Sequence, residues 1–174
     1  MSTLKVLGVT LQSDLRMTTH VDNILTRAGQ TTYALKLVKS HGLPSKYLDI
    51  ITHSTLFSIL SYASPAWIGF ASAEDLKRLQ ASISRAHRWG LSSVKATPDY
   101  LVICDKTDKT LFSKIVSLGG HVLHSMLPAL QNNTYNLRPR AHSYTLPATS
   151  QSLKRNFFHR MLFKLAHVVP VSER

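Results

Sequence analysis

The order of apolar and polar side chains divides this chain into a short β start and a series of helices. Leu4 to Leu11 (LKVLGVTL) is rich in aliphatic and β-branched residues and predicts a strand. No partner strand follows for several dozen residues, so it is expected to complete a sheet begun elsewhere, in something larger. From Thr18 to Lys39 the period becomes helical: Val21, Ile24, Leu25, Ala28, Thr32, Leu35 and Val38 fall at three- and four-residue steps on one stripe. Gly42 and Pro44 end it.

A second helix is expected from about Ser45 to Tyr62, with Leu48, Ile51, Thr55, Leu56, Ile59 and Leu60 on its apolar side. It is apolar over much of its girth, which predicts a central place in a bundle, and Ser64-Pro65 should terminate it. The third helix has the clearest start: Ser72 offers a cap, with Glu74 and Asp75 in the first turn to meet the dipole. It runs through Leu76, Leu79, Ile83 and Ala86 to Trp89, and Gly90 stops it.

Asp99 to Asp105 and Thr110 to Leu118 read as two short helices, followed by a turn at Gly119-Gly120. From about Pro128 to Gln151 Asn, Pro, Thr and Ser dominate, which predicts an extended arm. A last amphipathic helix is expected over Leu153 to His167, with Phe157, Met161, Leu162 and Leu165 inward. The fold class is therefore mainly α: a small helical bundle with an N-terminal β-strand remnant and a basic, partly extended C-terminal region. The expected divisions are 1–16 (strand remnant), 17–92 (bundle), 93–127 (short helices), 128–151 (basic arm) and 152–174 (C-terminal helix and tail).

Charge changes this picture most. In 174 residues, 21 Lys and Arg stand against 9 Asp and Glu, giving a net charge of +12 and a pI near 10.1. Such a surplus favours a polyanionic partner, nucleic acid ahead of a membrane surface. The charge is also unevenly spread, since no acidic residue lies between Leu76 and Pro98 or between Asp108 and Glu173. The third helix carries Lys77, Arg78, Arg85 and Arg88 on one side, with Lys95 beyond. The rear holds Arg138, Arg140, Lys154, Arg155, Arg160 and Lys164, with Tyr135, Tyr144 and Phe158 among them. Arg and Lys neutralise phosphates and aromatic faces stack on bases. For Phe157 and Phe158 a core role is favoured, for Tyr135 and Tyr144 core and stacking are balanced, and for Tyr62 and Trp67 packing is favoured.

Catalytic and metal chemistry find little support. A single cysteine, Cys104, excludes a disulfide framework and a multi-cysteine zinc site and suits a reducing compartment, cytoplasmic or nuclear. Met1-Ser2-Thr3-Leu4-Lys5 lacks the basic start and long apolar stretch of a signal peptide, so none is expected, and the apolar stretch Ile50 to Ala73 is too polar and broken to span a bilayer. The glycines are too scattered for a phosphate loop, and there is no G-x-S-x-G. Two-metal transfer needs paired carboxylates. Glu74-Asp75 is better explained as a helix start, and Asp105-Lys106-Thr107-Asp108-Lys109 as a solvated turn. His121 and His124 could share a helical face, but other zinc ligands, such as Cys104 and His142, would have to come from far away. No metal and no cofactor are expected.

Taken together, several segments resemble one family. L-x-V-L-G-V-T-L from Leu4 and H-V-D-N-I from His20 look like the palm end and thumb entry of non-LTR (LINE-type) retrotransposon reverse transcriptases. S-Y-A-S-P-A-W at Ser61 to Trp67, with Tyr62, Pro65 and Trp67, is similar to the thumb motif of the Jockey and chicken-repeat branches, and A-S-A-E-D-L-K-R-L-Q-A-S-I-S-R-A-H-R-W-G fits the helix after it. Four segments then resemble the family's C-terminal extension in order: L-F-S-K-I at Leu111, H-V-L-H-S-M-L-P at His121, Y-N-L-R-P-R-A-H at Tyr135 and N-F-F-H-R-M-L-F at Asn156. The resemblance spans almost the whole chain.

The family's polymerase activity depends on a palm aspartate pair in F/Y-A-D-D, which this sequence lacks. The resemblance therefore implies a piece of an RNA-directed DNA polymerase that is no enzyme on its own. It carries the last palm strand, thumb and C-terminal region, and the palm and fingers of a parent polyprotein would be its partners. It implies a thumb-like bundle that grips the template-primer, RNA or RNA–DNA duplex, through Leu76 to Trp89. The competing reading is a helical protein-interaction module that associates, with itself or another protein, through the apolar Ile50 to Trp67 region.

Overall fold

The structure is a computed structural model and describes residues 3–92, 97–131, 142–148, 150 and 153–166. The fold is mainly α with a small N-terminal two-stranded sheet. Its elements are β1 (Thr3–Val6), β2 (Val9–Gln12), α1 (Thr18–Ser40), α2 (Ser45–Thr52), a π-helical segment (His53–Phe57), α3 (Ser58–Ser61), α4 (Ser64–Trp67), α5 (Ala73–Arg88), α6 (Tyr100–Ser117) and α7 (Phe157–Ala166). Short 3-10 turns lie at Ile68–Phe70, His124–Met126 and Leu153–Arg155. The chain divides into two compact units, Met1–Thr107 and Asp108–Arg174. Among the described residues no helix is long and apolar enough to cross a membrane.

The expected single strand is a hairpin. β1 and β2 pair antiparallel with Lys5 opposite Thr10 and Val6 opposite Val9. Leu7 (φ 46°) and Gly8 (φ 87°) make the two-residue turn, both with positive φ. That geometry matches the right-handed twist of the strands and ordinarily selects Asn-Gly. A leucine in the first position hides the turn from a reading by residue type. β2 buries Val9, Thr10 and Gln12 toward α1, while all of β1 is exposed.

α1 covers the expected span and buries Val21, Ile24, Ala28, Thr32 and Leu35; Val38 instead lies exposed, and His20 joins the buried set. The second expected helix is one continuous run from Ser45 to Ser61 with the π segment in its middle. Its buried positions are Leu48, Thr52, Leu56, Phe57 and Leu60, and all but Phe57 recur every fourth residue. In a regular α-helix that repeat would drift by roughly 120° over the span. The wider π turn takes up part of the drift and holds the stripe on the core. Ile51, expected inside, is exposed.

Pro65 does not end this helix. The chain breaks earlier, at Tyr62 and Ala63, where Ala63 takes φ 51°, and Pro65 lies in the first turn of α4. A proline there forfeits no hydrogen bond, because first-turn N–H groups have no helical partner. α5 begins where expected: the Asp75 N–H donates to Ser72 Oγ at 3.1 Å and the Ser72 N–H donates to Asp75 Oδ2 at 3.3 Å. Leu79, Ile83 and Ala86 bury against α1 and the central run.

The two short helices expected after Asp99 are one helix, α6. Its start is held by Gln80 of α5, whose side chain accepts from the Tyr100 N–H at 2.7 Å and donates to the Pro98 carbonyl at 3.1 Å. Tyr100 is buried and donates to the Leu60 carbonyl at 2.9 Å; burial pushes its hydroxyl pKa far up, with Cys104 adding to the shift. The Asp105–Lys109 stretch, expected as a solvated turn, is helical.

In the second unit Phe112, Met161 and Leu162 form a small core with Leu127, Tyr144, Phe157 and Leu165 around it. Asp108 is buried and accepts from Arg160 at 2.8 Å, the second correction to the turn reading. His142 is buried and its Nε2 meets the Leu162 carbonyl at 2.8 Å. Leu130 and Tyr144 pair in an isolated antiparallel bridge, so the described part of the arm is extended, with Tyr144 against the core.

Candidate nucleic-acid interface

Every third-helix cation lies away from the buried side of α5. At about 100° per residue, Lys77, Arg88, Arg85 and Arg78 fall within an arc of roughly 100°, opposite the stripe of Leu79, Ile83 and Ala86. Lys77, Arg85 and Arg88 are exposed and have no carboxylate partner among the described residues. Arg78 is different: it donates to Asp22 of α1 at 2.5 Å and lies 3.4 Å from Asp75. The Asp22 hydrogen bond, then the charges of Asp22 and Asp75, raise its pKa. Its charge is largely answered within the protein.

The structure adds groups that were not legible as part of this face. Trp89, at the end of α5, is 39% exposed. Lys36 of α1 places its ammonium 4.2 Å from the centre of the Trp89 ring, a cation–π contact. Lys39, one turn on, donates to the Trp89 carbonyl at 2.6 Å and so supplies a positive charge to the C-terminal end of α5. Gly90 makes room for it: at φ 63°, a Cβ there would lie 2.6 Å from the Lys39 ammonium. The spacing of Lys36 and Lys39 puts them on one side of α1, but nothing local announces a tryptophan about fifty residues away.

Between α1 and α5 runs a groove of about 300 Å³, lined by Leu25, Gly29 and Thr32 on one side and Arg78, Arg85 and Trp89 on the other. Gly29 presents no side chain at this wall, which leaves the α1 backbone open to a close approach. Cations, an amphipathic ring and a shallow groove thus share one surface.

The motif residues Tyr62, Pro65 and Trp67 build a corner. Trp67 is fully buried and its indole N–H donates to the Tyr62 carbonyl at 3.0 Å. Tyr62, exposed at its edge, donates its hydroxyl to the Leu7 carbonyl at 3.0 Å, and its ring lies where only a glycine at position 8 leaves comfortable space. Packing thus holds for Trp67, while Tyr62 clips the hairpin turn to the bundle.

Lys154 and Arg155 stand exposed in the 3-10 turn of the second unit. Arg160 is partly buried and pairs with Asp108. Lys95, Tyr135, Arg138 and Arg140 lie outside the described residues. His121 and His124 do not share a helical face: His121 lies in a turn and accepts from the Leu123 N–H at 3.1 Å, and His124 Nδ1 lies 2.8 Å from the Ile115 carbonyl. Cys104 is buried in the core of the first unit. No family model, curated protein or solved structure matches the chain.

Proposed function

We propose that this chain is a duplex-gripping part of a non-LTR retrotransposon reverse transcriptase, binding RNA or an RNA–DNA hybrid without catalysing polymerisation itself. The observation that carries the reading is the α1–α5 face, where Lys77, Arg85 and Arg88 join Lys36, Lys39 and the half-open Trp89 ring. The cations would neutralise phosphates of one strand, and the ring would lie against a sugar or base. The ordered sequence resemblance supplies the polymerase context. Lys154 and Arg155, and Arg138 and Arg140 in the sequence, are further cations that would bind phosphate.

The direct test is fluorescence anisotropy with a labelled RNA–DNA heteroduplex across a salt series. Neutralising about five phosphates predicts a slope of log affinity on log salt of roughly −3.5 to −4.5. Absent binding, or binding indifferent to salt, overturns it.

A second reading has its own observation. Tyr33, Leu37 and Val38 of α1 and Tyr47, Ile50 and Ile51 of α2 are exposed apolar side chains, which favours a protein-contact surface at that end of the bundle. A monodisperse monomer in light scattering at high concentration would count against self-association there.

A further inference from the structure

A second concavity of the first unit is a different surface from the α1–α5 face. It encloses about 960 Å³ between the hairpin, α1 and the π-helical run, a size suited to a small ligand. Its walls mix apolar side chains (Leu7, Ile24, Ile59) with polar ones. Lys5 of β1 and Arg27 of α1 stand over it, and no carboxylate side chain lines it among the described residues. Asp22, the nearest acid along α1, spends its charge on Arg78. The cleft therefore carries two cations with no carboxylate facing them among the described residues.

Three of the hydroxyls that line it donate to the helix backbone. Thr26 donates its hydrogen to the Asp22 carbonyl at 2.9 Å, Ser54 to the Ile51 carbonyl at 3.2 Å and Thr55 to the same carbonyl at 2.6 Å. Each hydrogen is committed to the helix, so each oxygen offers the cleft an acceptor. A ligand meeting these three must bring donors of its own. The cationic side chains are donors only, and Gln30 adds an amide that serves either way. Strong donors on one hand and back-bonded hydroxyl acceptors on the other call for a ligand with an anionic group and several free hydroxyls. The π turn is part of this design: insertions of that kind re-aim side chains and recur at functional sites. Here it carries Ser54 and Thr55 on the cleft wall.

We infer that this cleft binds a sugar phosphate, its phosphate held by Lys5 and Arg27 and its hydroxyls donating to Thr26, Ser54 and Thr55. This site is separate from the duplex surface and goes beyond it. The full chain should be titrated by calorimetry with ribose 5-phosphate, with ribose and inorganic phosphate as parallel arms. The expected result is that the sugar phosphate binds at least about tenfold more tightly than either part. Lys5→Ala and Arg27→Ala, both at exposed positions, should each weaken it about tenfold, as one lost charge-assisted contact does. Thr55→Val should weaken ribose 5-phosphate and leave inorganic phosphate unchanged, and Lys46→Ala, a charge control on α2, should change neither. Equal affinity for phosphate and sugar phosphate, or unaltered affinity in both cation variants with native circular dichroism, overturns the inference. So does displacement of the sugar phosphate by heteroduplex, which would make the cleft a portion of the duplex site.

Discussion

The main-chain N–H of Thr10 donates to Nδ1 of His20 at 3.3 Å, and this contact joins the N-terminal hairpin to the first helix. His20 is 2% exposed and meets Trp67 edge to face with ring centres 5.0 Å apart. Asn23 adds a second tie, donating to the Thr10 hydroxyl at 3.3 Å. An Nδ1 that accepts must be unprotonated, and burial pulls the pKa of His20 below its ordinary 6.5.

The sign of the pH dependence follows. In the unfolded chain His20 takes up a proton near its ordinary pKa, while in the folded protein it resists until a lower pH. The unfolded state binds more protons in that window, so stability is full above pH 6.5 and declines as the pH falls below it. Urea denaturation between pH 8 and 5 should show this decline. His20→Gln, which keeps an acceptor and removes the titration, should flatten it, and an unchanged slope in that variant would exclude His20 as the source.

Leu7 is 87% exposed and sits at φ 46° in the hairpin turn. A side chain with a full Cβ in the left-handed region costs about 1 kcal/mol, and Asn pays less of it. Leu7→Asn should therefore raise stability by roughly 0.5–1 kcal/mol, read as a higher Tm. A lower Tm would mean that the leucine makes contacts outweighing the strain.

How far the fold was legible depended on whether its determinants were local. The α5 start could be read because Ser72 and Asp75 satisfy each other three residues apart. The hairpin could not, because its turn holds Leu7 where residue statistics expect Asn. The unbroken α6 could not either, since Asp105-Lys106-Thr107-Asp108-Lys109 has the composition of a turn. What resolves it is Arg160, fifty-two residues on, which answers Asp108. The same holds for the candidate interface. Its α5 cations were evident from helical spacing, while Lys36 and Lys39 belong to it only through tertiary contact with Trp89.

The Asp108–Arg160 pair gives the second unit a polar tie at 2.8 Å beside its small apolar core. Removing one partner strands the other charge in a poorly hydrated place, which for buried pairs costs about 3–5 kcal/mol. Arg160 keeps some solvent contact, so Asp108→Ala should cost about 2–3 kcal/mol, nearer the lower bound. Hydrogen exchange is the suitable measure. Protection should fall in α7 and the second half of α6, and fall much less in α1 and α5. Loss spread evenly over both units would show that they unfold as one body.

The proposed binding surface makes a quantitative prediction through its three kinds of residue. Among the described residues Arg85 and Arg88 have no carboxylate partner, so each should act on phosphate alone. Replacing both with alanine should make the salt slope shallower by roughly 1.4–1.8 and weaken binding alike for every sequence. Arg78 is held by Asp22 and Asp75, and Arg78→Ala should therefore change the slope much less while loosening the α1–α5 contact. Trp89→Ala should leave the slope nearly unchanged and remove about 1–3 kcal/mol of affinity if the ring stacks on the ligand. The three variants thus separate charge, structure and stacking in one anisotropy series. Equal effects of Arg78→Ala and the double arginine variant on the slope would mean that the ion pair with Asp22 opens in the complex.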